Sequence, residues 1–232
     1  MRFTFVTLFA NLVTPYFEDS ILKRAIASGY LKIDTLNPRD FTDNKHLKVD
    51  DTPASGGAGM VMMPQPLFAT LGHIKAQSPK AHIIITTPVA KHFTQNDAKR
   101  LATKEHLVFV SGRYEGIDER VIEQFADEVF SIGSYILTGG ELASLVMCDA
   151  ISRNVAGVLG NDESLSVESY ESALLEAPSF TKPTLYAQSA ITSEYLKGNQ
   201  SKIRALKSLL SESKTKYFRP VDFENYSLRK ST

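Results

Sequence analysis

The residues of this chain best suited to chemistry crowd into two glycine-flanked turns between Ser111 and Glu141, a stretch reading SGRYEGIDERVIEQFADEVFSIGSYILTGGE. Five of the thirteen glycines fall here, at 112, 116, 133, 139 and 140. Glycine at a strand end permits positive φ and lets another group approach the main chain. The first turn gathers Arg113, Tyr114, Glu115, Asp118, Glu119 and Arg120, and loops rich in charge and aromatic surface are where binding sites concentrate. Spacing alone is equally compatible with a pair of ordinary strand-to-helix turns. Further on, Asp149 and Arg153 stand four residues apart on a helical pattern and can pair on one face. A run of turn residues and acids follows, from Ala156 to Ser169.

The elements that must position these residues follow from apolar periodicity. His82 to Thr86 (HIIIT) predicts a buried strand ending at Thr87–Pro88, and His106 to Val110 (HLVFV) a second. Between them, Thr94 to Thr103 predicts a helix with Thr94 as N-cap and Asp97 at the third position. Strand, helix, strand with continuously apolar strands is the pattern of a parallel sheet covered on both faces. The ligand crevice of such a sheet lies beyond the carboxyl ends of the strands, here Thr86–Pro88, Ser111–Gly116 and Ser131–Leu137. Upstream, Arg2 to Leu8 and Leu31 to Leu36 predict strands, with helical pieces over Leu12 to Ser28 stopped by Gly29. Residues 37–63 show no sustained period, and a loop this long is usually functional or disordered. Gln65 to Ala76 predicts a helix with Leu67, Leu71 and Ile74 inward. Glu141 to Val155 predicts another, with Leu142, Leu145, Val146 and Ile151 inward. Tyr170 to Pro183 is irregular, and from Ile191 the pattern is helical and basic, with Ile203, Leu206, Leu209 and Leu210 as an apolar stripe. A boundary near residue 160 separates an α/β domain from a smaller helical one.

Bulk properties narrow the classes. A chain of 232 residues with 43% hydrophobic and 22% charged residues is ordinary for a water-soluble globular protein. The single cysteine, Cys148, permits no intrachain disulfide and suits a reducing compartment. The N-terminal MRFTFVTLFANLV reads as a first strand in preference to a cleaved signal, and no run reaches the ~18 apolar residues of a membrane span. Net charge is zero, yet between Lys197 and Arg219 seven basic residues face Glu212 alone. Phosphate binding responds to such a local field, although a charge run is more often a solvated helix face. The GGAGM run at 56–60 lacks the Lys-Ser/Thr and preceding strand of a phosphate loop. The five histidines show no metal-ligand spacing.

Several longer motifs together resemble one family. PRDF (Pro38–Phe41), VDD (Val49–Asp51), GGAGMVMMPQP (Gly56–Pro66), GRYEGIDERV (Gly112–Val121), SIGSYILTGGE (Ser131–Glu141) and GVLGN (Gly157–Asn161) stand in order along the chain. They resemble the bacterial tRNA (guanine-N1-)-methyltransferase family, TrmD, from the N-terminus to about Tyr217. The resemblance implies an α/β fold whose parallel sheet carries a deep trefoil (SPOUT-like) knot, plus a small C-terminal helical domain. It implies domains at 1–160 (knotted, cofactor-binding), 161–169 (a linker carrying the base) and 170–232 (helical, tRNA-binding). It further implies a cytoplasmic homodimer with its active site shared between subunits, S-adenosyl-L-methionine as methyl donor, and methylation of N1 of the guanine at tRNA position 37, just 3′ of the anticodon. Mg²⁺ is associated with the family's activity, though no metal cage is visible in the pattern.

Carried over by motif, the resemblance assigns cofactor contacts to Thr87, Pro88, Gly112, Tyr114, Glu115, Gly116, Ile132, Gly133, Ser134, Tyr135, Ile136, Leu137, Gly139 and Gly140. It assigns substrate contacts to Arg39, His46, Asp50, Gly59 and Ser164. The guanine N1 proton must leave, and charge then builds on O6, which a guanidinium can stabilise. The family's arginine falls on Arg153. Its aspartate base falls, counting from Gly160 and anchoring on Ser169–Tyr170, on Glu168, which is one methylene longer; Asp162 and Glu163 are the alternative acids. Ile85 stands where many members carry an aromatic residue beside adenine. A related knotted methyltransferase with another target nucleotide, and a non-catalytic RNA-binding module using the basic tail, are the alternative functions.

Overall fold

Three apolar strands set the architecture: β1 (Arg2–Val6), β5 (His82–Thr86) and β6 (His106–Ser111) are almost wholly buried. The computed structural model describes residues 1–160, 168–171 and 174–230, and divides into two compact units, Met1–Gly160 and Asn161–Thr232. In the first unit the chain also forms α1 (Ser20–Ala27), β2 (Lys32–Leu36), β3 (Asp50–Asp51), β4 (Val61–Met62), α2 (Pro64–Gln77), α3 (Gln95–Leu101), α4 (Glu119–Phe125), β7 (Glu128–Phe130) and α5 (Glu141–Ser152). Five strands pair in the order β2-β1-β6-β5-β7, each pairing parallel. The fold is therefore α/β.

The side-chain period of two divides the core between the sheet's faces. Phe3, Phe5, Ile84, Leu107 and Phe109 pack on one face against Leu145, Met147, Cys148 and Ile151 of α5. Val6, Ile83, Ile85, Val108 and Val110 pack on the other against Leu67, Leu71 and Ile74 of α2. Burial on both faces is why these strands read as unbroken apolar runs. The α3 start is a capping box in which Thr94 and Asp97 exchange side-chain-to-backbone bonds, a feature that contributes about 1 kcal/mol.

Two sequence expectations are corrected on α5. Leu142 and Val146 are not inward: they are 56% and 45% exposed. The face that meets the sheet is built from small residues, with Ala143, Ser144 and Cys148 buried beside Leu145 and Ile151. Ser144 Oγ lies 3.0 Å from Ser111 Oγ on β6, so the helix seats closely on the strand there, and Leu142 and Val146 are left outside. Residues 37–63 are likewise not structureless. Pro38–Phe41 is a 3-10 turn, and β3 and β4 pair antiparallel around the GGAGM loop.

In the second unit, Leu185–Tyr186 (β8) and Ser189–Ala190 (β9) form a hairpin with no sequence signal. It is followed by α6 (Ser193–Leu196), α7 (Gln200–Phe218) and α8 (Pro220–Lys230). Of the stripe expected on α7, Leu209 is instead exposed, while Ile203, Leu206 and Leu210 are half-buried. The irregular segment is tied to α7 by the buried Thr215, whose Oγ1 accepts from Leu175 N at 2.8 Å.

Candidate active site

The carboxyl ends of β5, β6 and β7 open into one cavity of about 610 Å³. Its apolar walls include Ile85, Val129, Ile132 and Leu137. Every residue assigned by motif to cofactor lines it except Ser134, whose hydroxyl instead stands 3.3 Å from His92 Nε2. Ile85, the departure from an aromatic neighbour, is fully buried in the wall.

Backbone geometry shapes this cavity. Tyr114 holds φ 59 and Gly116 φ 131, so the GRYEG turn carries a non-glycine residue in the left-handed region, a strained conformation typical of functional loops. The following wall runs from Ile132 back to Gly140, whose N–H donates to Gly112 O at 2.8 Å. Among the described residues the N–H groups of Leu137, Thr138 and Gly139 have no partner within the protein. Unpaired amides beside an apolar slot fit a purine nucleoside, which needs edge hydrogen bonds and an apolar sandwich for its ring. The donor set and the cavity volume therefore fit S-adenosylmethionine.

Arg113 and Glu141 join the two glycine walls. Glu141 is only 2% exposed, and its Oε1 accepts from Thr7 Oγ1 at 2.7 Å and from Arg113 Nε at 3.1 Å. Its Oε2 lies 2.9 Å from Arg113 Nη2 but out of line for a hydrogen bond, so that contact is electrostatic. Arg113 Nη1 donates to Thr138 O at 3.1 Å, and the guanidinium sits 4.5 Å above the Phe9 ring. Sequence reasoning placed Arg113 in a charged turn and missed Glu141. The signal available was an acid at the first turn of a helix whose next seven residues carry no charge.

The GGAGM loop, not a phosphate loop, closes against the GRYEG turn. Glu115 N donates to Met60 O at 2.9 Å and Met62 N to Gly116 O at 2.9 Å. Gly59 has φ +93, and a Cβ there would lie 2.5 Å from Glu115 Cγ. Gly59 and Glu115, assigned to substrate and cofactor respectively, are thus neighbours. Asp50 joins them through its strand pairing with Met62. Arg39 and His46 belong to the adjoining loop, where Arg39 Nη1 donates to Leu47 O at 3.0 Å and His46 is exposed.

Of the two residues expected to carry chemistry, Arg153 does not line this cavity. Arg153 caps the C-terminal end of α5, whereas the cavity touches that helix at Gly140 and Ala143. Twelve helical residues, at about 1.5 Å each, separate the two ends. Asp149, four residues before Arg153, accepts from Tyr16 Oη at 2.7 Å; this hydrogen bond pushes the Tyr16 phenol up to about 12. Glu168 lies in the second unit, its carbonyl accepting from Glu171 N at 3.3 Å. Ser164 and the alternative acids Asp162 and Glu163 lie outside the described residues. Among the described residues no group of three or more His, Cys, Asp or Glu could hold a metal, and no helix is long and apolar enough to cross a membrane.

The family model described as tRNA (Guanine-1)-methyltransferase TrmD matches residues 1–225. The chain belongs to this family. It is similar to the tRNA (guanine-N(1)-)-methyltransferase of Sulfurimonas denitrificans, at 68% identity over 95% of both chains. The like-named protein of a Sulfurovum species is 65% identical over 95% of this chain and 97% of its own. That of Campylobacter jejuni is 53% identical over 99% of this chain and 100% of its own.

Proposed function

We propose that this protein is an S-adenosylmethionine-dependent methyltransferase acting on N1 of guanine 37 in tRNA. The observation that carries the reading is the convergence of three strand ends on one cavity with unpaired amides, in a chain of the TrmD family. Bound there, S-adenosylmethionine supplies an electrophilic methyl group. The chain's own residues do the rest. Leu137 to Gly139 offer backbone donors to the adenine edge, while Ile132 and Leu137 exclude water from its faces. Glu115, on the cavity wall, is read as the carboxylate that meets the ligand's positive charge. Glu168 accepts the N1 proton, which frees the nitrogen lone pair for attack. Arg153 faces O6 and stabilises the charge that gathers there.

The same reading makes the enzyme a homodimer with shared sites. Its support is the length of α5, which carries the cavity at one end and Arg153 at the other. A second copy supplies the missing half, and the exposed Leu12, Leu142 and Val146 give apolar surface for it to cover. The return of residues 132–140 across Gly112 is read as the closing turn of the knot. The second unit, from residue 170, is read as the tRNA-binding domain, through Lys202, Arg204, Lys207 and their basic neighbours on α7. Residues 161–169 are read as the linker that presents the base. Arg39, His46, Asp50, Gly59 and Ser164 are read as guanine contacts. A cytoplasmic location follows from a tRNA substrate. We extend the reading to Mg²⁺, held by substrate and water more than by a protein cage, and tested by chelation.

The deciding experiment is methylation of a tRNA transcript carrying guanine or another base at position 37. Signal that disappears with the guanine supports the reading, and signal that persists refutes it. In the same assay Glu168→Ala is expected to lose methyl transfer while retaining donor binding. Near wild-type turnover in that variant would remove Glu168 as the base.

A further inference from the structure

We infer that Arg113 and Glu141 form a positioning pair that sets affinity for the adenosyl part of the donor; this rests on the function proposed above. Arg113 follows the Gly112 at the end of β6 and lines the cavity, and Glu141 opens α5 behind it, so the pair ties one glycine wall to the other. Arg113 also holds the Thr138 carbonyl at 3.1 Å. That peptide lies inside the Leu137–Gly139 segment whose N–H groups are unpaired, and so the guanidinium fixes the orientation of the donors offered to the purine edge.

Three features show that the arrangement is built. Glu141 is deeply buried and takes a third contact from Thr7, just beyond β1. Phe9, two residues on, floors the guanidinium. Gly139 leaves the space through which Arg113 passes, because a Cβ at 139 would collide with its guanidinium. Arg113 also lines a second, smaller hollow of about 380 Å³, with Leu12, Leu142 and Glu141, on the outer side of the 136–139 segment. The pair therefore forms the wall between cofactor cavity and outer surface, and touches no reacting atom.

A guanidinium that donates through Nε to a carboxylate and through Nη1 to a carbonyl cannot be replaced by an ammonium, which keeps the charge but loses the fork. Arg113→Lys thus tests position while leaving Glu141 a cationic partner. The measurements are calorimetric binding of S-adenosylmethionine to the ligand-free protein, and steady-state kinetics with tRNA. Arg113→Lys is expected to weaken donor binding and raise donor KM by about tenfold or more, the scale of one charged hydrogen bond. Turnover at saturating donor and KM for tRNA stay near wild type. Gly139→Ala displaces the guanidinium with both partners intact and is expected to weaken donor binding in the same way. Unchanged donor affinity in both variants overturns the inference, as does a fall in turnover with donor KM unchanged. Wild-type protein that fails to bind S-adenosylmethionine overturns the proposed function itself, and this inference with it.

Discussion

Gly140 donates its N–H to the carbonyl of Gly112 at 2.8 Å, and the two glycines bring the start of α5 against the end of β6. A Cβ at 140 would collide with Thr86 Oγ1 and stand 2.8 Å from Gly112 N and 2.9 Å from Ser111 Cα. Two of these three neighbours are backbone, and the third is a buried side chain on β5. None can yield cheaply.

Gly140→Ala is accordingly expected to destabilise the protein by about 1–3 kcal/mol, the scale of forced overpacking, and to weaken donor binding by prising the cavity walls apart. Urea unfolding and calorimetry measure the two effects. Native stability in this variant would show that the walls are not held together at this point.

Gly72→Ala is the opposite case. Gly72 is in the interior of α2, exposed, with nothing within 4 Å of a Cβ placed on it. Alanine there restores helix propensity without a clash, so a gain of about 0.5–1 kcal/mol is expected in urea unfolding, with unchanged turnover.

The contrast marks what could be read from the chain before its fold was seen. Strands β5 and β6 were legible because both faces are buried and the apolar run is continuous. The α3 start was legible because Thr94 and Asp97 carry a local capping signal. The orientation of α5 was only partly legible, since Ala143, Ser144 and Cys148 share its contact face with Leu145, Met147 and Ile151, and periodicity weighted toward Leu142 and Val146 turns the helix away from the small residues. The seating of residues 59–62 on the GRYEG turn was also hidden, because it consists of backbone hydrogen bonds between segments more than fifty residues apart. Motifs located the cavity, yet Glu141 gained its meaning only from Thr7 and Arg113, which no local pattern links to it.

Acidification is expected to destabilise the first unit through His106. Its ring nitrogens lie 2.9 Å from Thr4 Oγ1 and 2.9 Å from Ser78 Oγ. Burial, followed by the nearby Arg2 charge and opposed by Asp34, lowers its pKa below the usual 6.5. The unfolded chain therefore takes up a proton at a higher pH than the native one. The stability this contributes is complete above 6.5 and is lost as pH falls toward and through the lowered native value. His106→Gln keeps hydrogen-bonding capacity but does not titrate. Its melting temperature should fall less than that of wild type between neutral pH and about pH 5. Parallel melting curves across that range would exclude His106 as the titrating group.

The separation of Arg153 from the cavity along α5 yields a test of shared sites. Arg153→Ala removes the guanidinium but spares the donor cavity. Leu137→Arg fills the cavity but spares Arg153. Each homodimer should be inactive. In a mixed dimer, the cavity of the Arg153→Ala chain is completed by Arg153 of the Leu137→Arg chain, and one of two sites is whole. Co-refolding equal amounts puts half of the dimers in the mixed state, so roughly a quarter of wild-type activity should return. The Leu137→Arg protein alone should bind no donor by calorimetry, and Arg153→Ala alone should bind it normally. If the mixture stays as inactive as its components while exchange of subunits is verified by mass, each site draws on one protomer. Arg153 would then have to reach the cavity by a rearrangement of α5, not across a dimer interface.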